Sequence, residues 1–135
     1  MRVLVAVLAL AAAGFFAVQE YGARAADRVT GAALTGGQDL AQARADERTA
    51  RRLNPDTQPA LDLAIAEARA GHNRAAGERI AAVTRAEPRN ARAWTLLCTL
   101  ARRYDSGLAA TACARVRVLA PPLGSLRRSS GRSTT

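Results

Sequence analysis

Few residues of this chain have chemistry beyond packing, and the clearest are its two cysteines, Cys98 and Cys113. They lie equally far on either side of the turn-forming stretch Asp105-Ser106, so an antiparallel helical hairpin would bring them level. Both fall on apolar stripes and should face the hairpin interior. Outside the cytoplasm such a pair favours a disulfide, which would close a loop of about 15 residues and stabilise by about 3 kcal/mol on a chain-entropy estimate. Distance argues the other way. Packed helix axes lie ~8–10 Å apart, whereas the Cα atoms of a disulfide lie within about 7 Å. The alternative is two small buried thiols. His72, the single histidine, sits in a polar Gly-His-Asn turn away from both cysteines, so no metal site is expected.

Other catalytic patterns are missing. There is no phosphate-binding glycine loop, no zinc spacing, no serine elbow and no paired-carboxylate arrangement. Asp46-Glu47 and Glu67 stand among arginines and read as solvated helix faces. The expectation is a protein that is not an enzyme and carries no cofactor.

The elements that position these residues follow from composition. The chain has 135 residues, of which 49% are hydrophobic, with two Phe, two Tyr and one Trp. Much of the apolar fraction is alanine, the strongest helix former, so the fold class is all-α with a core built by close helix packing. The net charge is +9, and every basic residue is arginine. That suggests nucleic acid as a partner. Codon bias of a GC-rich genome accounts for the same composition. The arginines are also interspersed with acids rather than blocked, which weighs against nucleic acid.

The first 25 residues read as an export or membrane signal. Arg2 precedes an uncharged apolar run from Val3 to Val18. Two export outcomes are open, beside a third reading in which the run is a buried core helix. An uncleaved signal-anchor would cross a thin bilayer as a transmembrane helix and place the rest outside the cytoplasm. Cleavage after Ala23-Arg24-Ala25 would release a secreted chain starting at Ala26. Residues 26–37, with the glycine-bearing stretch GAALTGG, read as a connector.

From residue 38 the pattern is helical. Leu40, Ala43, Glu47, Ala50 and Leu53 recur at helical spacing, with Asp39 placed to cap them and Asn54-Pro55 to stop them. Leu61, Ala64, Ile65 and Ala68 define a second stripe. Ala76, Ile80 and Val83 form a third, Trp94, Leu97, Cys98 and Ala101 a fourth, and Ala109, Ala112, Cys113, Val116 and Leu119 a fifth. Pro55, Pro88 and Pro121 recur every 33 residues, a period that marks a helical solenoid.

On these residues the segment 38–122 resembles the tetratricopeptide repeat family. The family's aromatic, leucine, small residue, alanine and terminal proline fall on Trp94, Leu97, Cys98, Ala109 and Pro121. In the preceding repeat they fall on Ala60, Leu63, Ala64, Ala76 and Pro88. The resemblance implies a right-handed solenoid of about two and a half repeats, divided as 38–55, 56–88 and 89–122. Trp94 would then be a packing residue. Ala60 departs from the aromatic the pattern wants, and the usual first-helix glycine is missing. A basic tail, 123–135, is expected to be disordered.

The resemblance also implies function. First helices of the repeats would line a groove at Gln58, Asp62, Ile65 and Arg69, then at Arg92, Thr95, Thr99, Arg102 and Arg103. The second set is basic and could take an acidic peptide or an anionic glycan. The reading is a non-catalytic protein-binding adaptor of a bacterial cell envelope, held at the membrane by its N-terminal helix, with a hint of envelope or polysaccharide assembly. Two alternatives are kept open. One is a structural module that forms homo-oligomers. The other is an arginine-driven binder of nucleic acid or another anionic polymer.

Overall fold

A computed structural model describes residues 2–35, 39–53 and 56–120, with side-chain surroundings from Leu8 onward. All its regular elements are helices: α1 (Arg2–Thr35), α2 (Leu40–Leu53), α3 (Gln58–Arg69), α4 (Asn73–Ala86), α5 (Ala91–Ala101) and α6 (Ser106–Leu119). The chain is therefore all-α. It divides into two compact units, Met1–Ala70 and Gly71–Thr135. The boundary falls in the turn between α3 and α4, inside the segment 56–88 read as one repeat. Gly71 adopts a φ of +87° there, a left-handed conformation that costs a glycine little and other residues much.

In the first unit α1 packs on both α2 and α3. Its inward positions are small. Ala25, Val29, Ala32 and Ala33 are buried, as are Ala43 and Ala50 of α2 and Leu63 and Ala66 of α3. Val29, Ala32, Ala43, Leu63 and Ala66 form one cluster, with Leu40 laid against it. Small residues let the backbones approach closely, which is how an alanine-rich sequence builds a dense core. Asp39 closes the start of α2, its Oδ1 accepting from the Ala41 N–H at 2.8 Å. Pro59 stands in the first turn of α3, where its missing N–H costs nothing.

Two expectations for the N-terminus are corrected here. Among the described residues no helix is long and apolar enough to cross a membrane. The transmembrane signal-anchor, and the extracytoplasmic placement built on it, are therefore not retained. The apolar run is one end of a longer helix whose second half carries Glu20, Arg24, Asp27 and Arg28 and packs as part of the first unit. Nor is 26–37 a connector throughout. The helix runs unbroken through Ala23-Arg24-Ala25 and on to Thr35, because Val29, Ala32 and Ala33 gain burial by staying helical. Residues 36–38 lie outside the described residues. From Leu8 to Tyr21 the helix is exposed, with Leu10 at 74% and Phe16 at 70%.

In the second unit α5 is central, flanked by α4 and α6. Ala76, Ile80 and Val83 of α4, Ala93, Leu97, Leu100 and Ala101 of α5, and Ala109 and Ala112 of α6 are buried. The helix starts are capped as their residue types suggest. The Asn90 side chain accepts from the Ala93 N–H at 3.0 Å. The Asp105 side chain accepts from the Leu108 N–H at 2.9 Å. Cys98 and Cys113 are joined by a disulfide with Cα atoms 4.9 Å apart. Cα atoms stand about 2.3 Å off a helix axis, so facing residues on helices at ordinary spacing come within disulfide reach, and the expected obstacle of distance does not hold. Trp94 is half-buried, and its indole N–H donates to the Pro88 carbonyl at 3.0 Å. Pro55, Pro121 and the tail 123–135 lie outside the described residues.

Candidate functional site

The expected groove residues divide between the two units. Asp62 and Arg69 belong to the first. Arg92, Thr95, Thr99, Arg102 and Arg103 belong to the second.

In the first unit the α3 positions are already engaged by α1. Asp62 is buried, with 4% of its surface exposed. Its Oδ2 accepts from the Thr30 hydroxyl at 2.8 Å, and its Oδ1 from the Gln58 amide at 2.7 Å. Arg69 donates to the carbonyl oxygens of Ala33 and Leu34, the latter at 2.7 Å. Those carbonyls lie in the last turn of α1, so Arg69 supplies a C-terminal cap from 35 residues away in sequence. The groove imagined for a ligand is, on α3, the seat of the chain's own first helix.

The same interface holds polar residues that the sequence reading placed in solvent. Asp46, Glu47 and Glu67 are buried, at 6%, 4% and 0% exposure. They are not solvated faces, which corrects that expectation. Arg28 of α1 grips Asp46 with two parallel bonds, Nε to Oδ2 at 3.0 Å and Nη2 to Oδ1 at 2.8 Å. This fork-to-carboxylate geometry is the strongest arrangement open to the pair. The Arg28 guanidinium accordingly holds the Asp46 carboxyl below its ordinary range. Arg44 reaches Glu67, Nε to Oε1 at 3.0 Å. A buried carboxylate without a partner would cost several kcal/mol, of order 3–5, so these arginines are conditions of the fold.

In the second unit the expected residues do come together. Arg92, Thr95, Thr99, Arg102 and Arg103 are all exposed and lie on one face of α5 and its C-terminal cap. No acidic residue occurs in α5. The hydroxyls of Thr95 and Thr99 donate back to the carbonyls of Ala91 and Thr95, at 2.8 and 3.0 Å. Their protons are thereby committed to the helix, and their lone pairs face outward. At about 1.5 Å per residue the face is roughly 16 Å long, enough for four or five residues of an extended peptide. On its edge, Nη2 of Arg102 lies 3.8 Å from Cys113 Sγ.

The charge of the chain is concentrated there. The first unit has eight arginines and eight acids, and the second has twelve arginines and three acids. The whole net charge of +9 therefore belongs to the second unit. This segregation can be counted from sequence once the boundary at Ala70 is known; the turn at Gly71 to Asn73 was legible, but nothing distinguished it from a turn within one repeat.

Among the described residues no group of three histidine, cysteine, aspartate or glutamate side chains is arranged to hold a metal ion. His72 is exposed at the start of α4. No protein-family model matches the chain, and no curated protein or solved structure is significantly similar to it.

Proposed function

We propose that the chain is a non-catalytic binding module of tetratricopeptide-repeat type, whose α5 face takes an acidic segment of a partner protein. The observation that carries this reading is the α5 face itself. Three arginines and two outward-facing threonine oxygens share one exposed helix surface free of carboxylates in its own helix. Guanidinium groups in such a row match carboxylates at peptide spacing. The repeat-family part is supported by five short helices following α1 and by prolines at positions 55, 88 and 121.

The test is fluorescence anisotropy of the full chain with a labelled peptide of alternating glutamate and serine, and with its glutamine counterpart. The variant is Arg92→Ala/Arg102→Ala/Arg103→Ala. Exposed charge pairs contribute about 0.5 kcal/mol each, so three of them amount to about tenfold in Kd. Loss of that order, with no binding of the glutamine peptide, is the expected result. Equal affinity of variant and wild type for the acidic peptide would sink the reading.

The segregated charge favours a second reading, an arginine-driven binder of anionic polymer. A single-stranded oligonucleotide or heparin in the same assay separates the two. Binding of either polymer at least about tenfold tighter than the peptide at ~0.15 M salt, with a steep salt slope, would install the polymer reading.

A further inference from the structure

The disulfide of the second unit has two chemically unequal ends, and neither is assigned a role by the binding reading. Cys98 lies in the last turn of α5, which ends at Ala101. Cys113 lies in the middle of α6, which runs from Ser106 to Leu119. The carbonyl end of a helix disfavours negative charge within its last turn, so a thiolate at Cys98 is opposed by its own helix. Cys113 stands away from the ends of its own helix, and Nη2 of Arg102 stands 3.8 Å from its sulfur. A guanidinium beside a sulfur lowers the cost of a thiolate there. Both cysteines are partly exposed rather than sealed in the core.

We propose that this bond is a site of thiol–disulfide exchange with a low-molecular-weight thiol, in which Cys98 is the sulfur attacked and Cys113 the leaving group. A thiolate attacks Cys98 Sγ and forms a new S–S bond with it. The Cys98–Cys113 bond breaks, and its electron pair leaves on Cys113 Sγ as a thiolate, held by Arg102. One disulfide and one thiolate enter and one of each leaves, so the step needs no separate oxidant or reductant. The rate of such a step rises as the leaving thiol becomes more acidic. Arg102 thereby sets both the direction and the speed of modification. It is a positioning residue for the leaving charge, and the proposal does not depend on whether the α5 face binds an acidic partner.

The experiment treats the full-length oxidised protein with glutathione near neutral pH. The product is trapped with N-ethylmaleimide and mapped by peptide mass spectrometry. The expected product carries glutathione on Cys98 and maleimide on Cys113, in excess over the reverse. Arg102→Gln should slow exchange by about threefold and erode that preference, and Arg102→Lys should restore most of both. Glutathione on Cys113, an even split, or a bond that does not exchange would each overturn the proposal. So would an Arg102→Gln protein with unchanged rate and site preference. Circular dichroism of each oxidised variant separates a lost fold from a lost charge.

Discussion

The phenol of Tyr104 lies against the backbone of Gly77, with its Cζ 2.7 Å from where a Cβ on that glycine would stand. The hydroxyl is closer still, inside van der Waals contact. Gly77 is buried on α4 and Tyr104 follows the end of α5, so the missing side chain is what makes room for the hydroxyl end of the ring against α4. Burial also holds the Tyr104 phenol above its ordinary pKa. Gly77→Ala should destabilise the second unit by about 1–3 kcal/mol through overpacking, even though alanine is the better helix former. Tyr104→Leu in the same chain should recover much of the loss, a non-additivity that marks direct contact. Trp94 is the single tryptophan, so its fluorescence in urea reports the second unit alone.

The Arg28–Asp46 pair predicts a pH dependence confined to the first unit. The carboxyl is held below its ordinary range when folded, chiefly by its hydrogen bonds from Arg28. Such a group contributes stability that is fully present above the unfolded carboxylate pKa, near about 4, and is lost as pH falls through the depressed value. Asp46→Asn should lower the urea midpoint of the helical circular-dichroism signal at neutral pH. The gap from wild type should close as acid protonates Asp46. A gap that stays constant below about pH 3 would mean the asparagine acts by packing rather than by lost charge.

Arg69 predicts a local effect without a global one. Its removal leaves the Ala33 and Leu34 carbonyls without the donor that now satisfies them. In Arg69→Ala the amides of the last turns of α1 should exchange with solvent severalfold faster. Those of α5 and α6, in the other unit, should be unchanged. Thr30→Val tests the same seating from the other side. It removes the hydroxyl that donates to Asp62 while keeping a β-branched shape. Uniform acceleration across the whole chain in either variant would contradict a local capping role.

The disulfide predicts a large effect confined to the second unit. It joins residues separated by 15 positions in sequence. Closing a loop of that length is worth about 3 kcal/mol on the chain-entropy estimate. Reduction, or Cys98→Ser with Cys113→Ser, should therefore move the Trp94 urea transition substantially and leave the Arg28–Asp46 pH effect in place.

How much of this could be read in advance depended on the residue. Apolar periodicity located α2 to α6, because their stripes at Ala43, Leu61, Ile80, Leu97 and Ala112 repeat every three or four positions and are buried. Asp39 marked the start of α2 through side-chain chemistry that acts within two residues. The α5 face was legible for the same reason, since one helix decides what its residues share. The first unit was not. Whether Glu67 points to water or to Arg44 is decided by a helix 23 residues away in sequence, and local pattern is blind to that. The stretch after Ala25 misled because alanine, glycine and threonine look like a connector. Yet Val29, Ala32 and Ala33 of that stretch are buried in the first unit, and earlier on the same helix a Cβ on Gly22 would sit 3.0 Å from the Leu53 Cβ. The cysteine pairing was open on spacing alone and turned on how closely two helices approach.

The cap that Arg69 places on α1 sets synthesis and closure in opposite order. α1 is made before α3, and its final carbonyls wait for a donor 35 residues later. Until α3 emerges, Val29, Ala32 and Ala33 have no Leu63 or Ala66 to lie against. A nascent chain paused before Leu63 therefore presents Val29 and Ala32 without the α3 residues that cover them. Closure of the first unit is therefore a late event relative to the synthesis of α1.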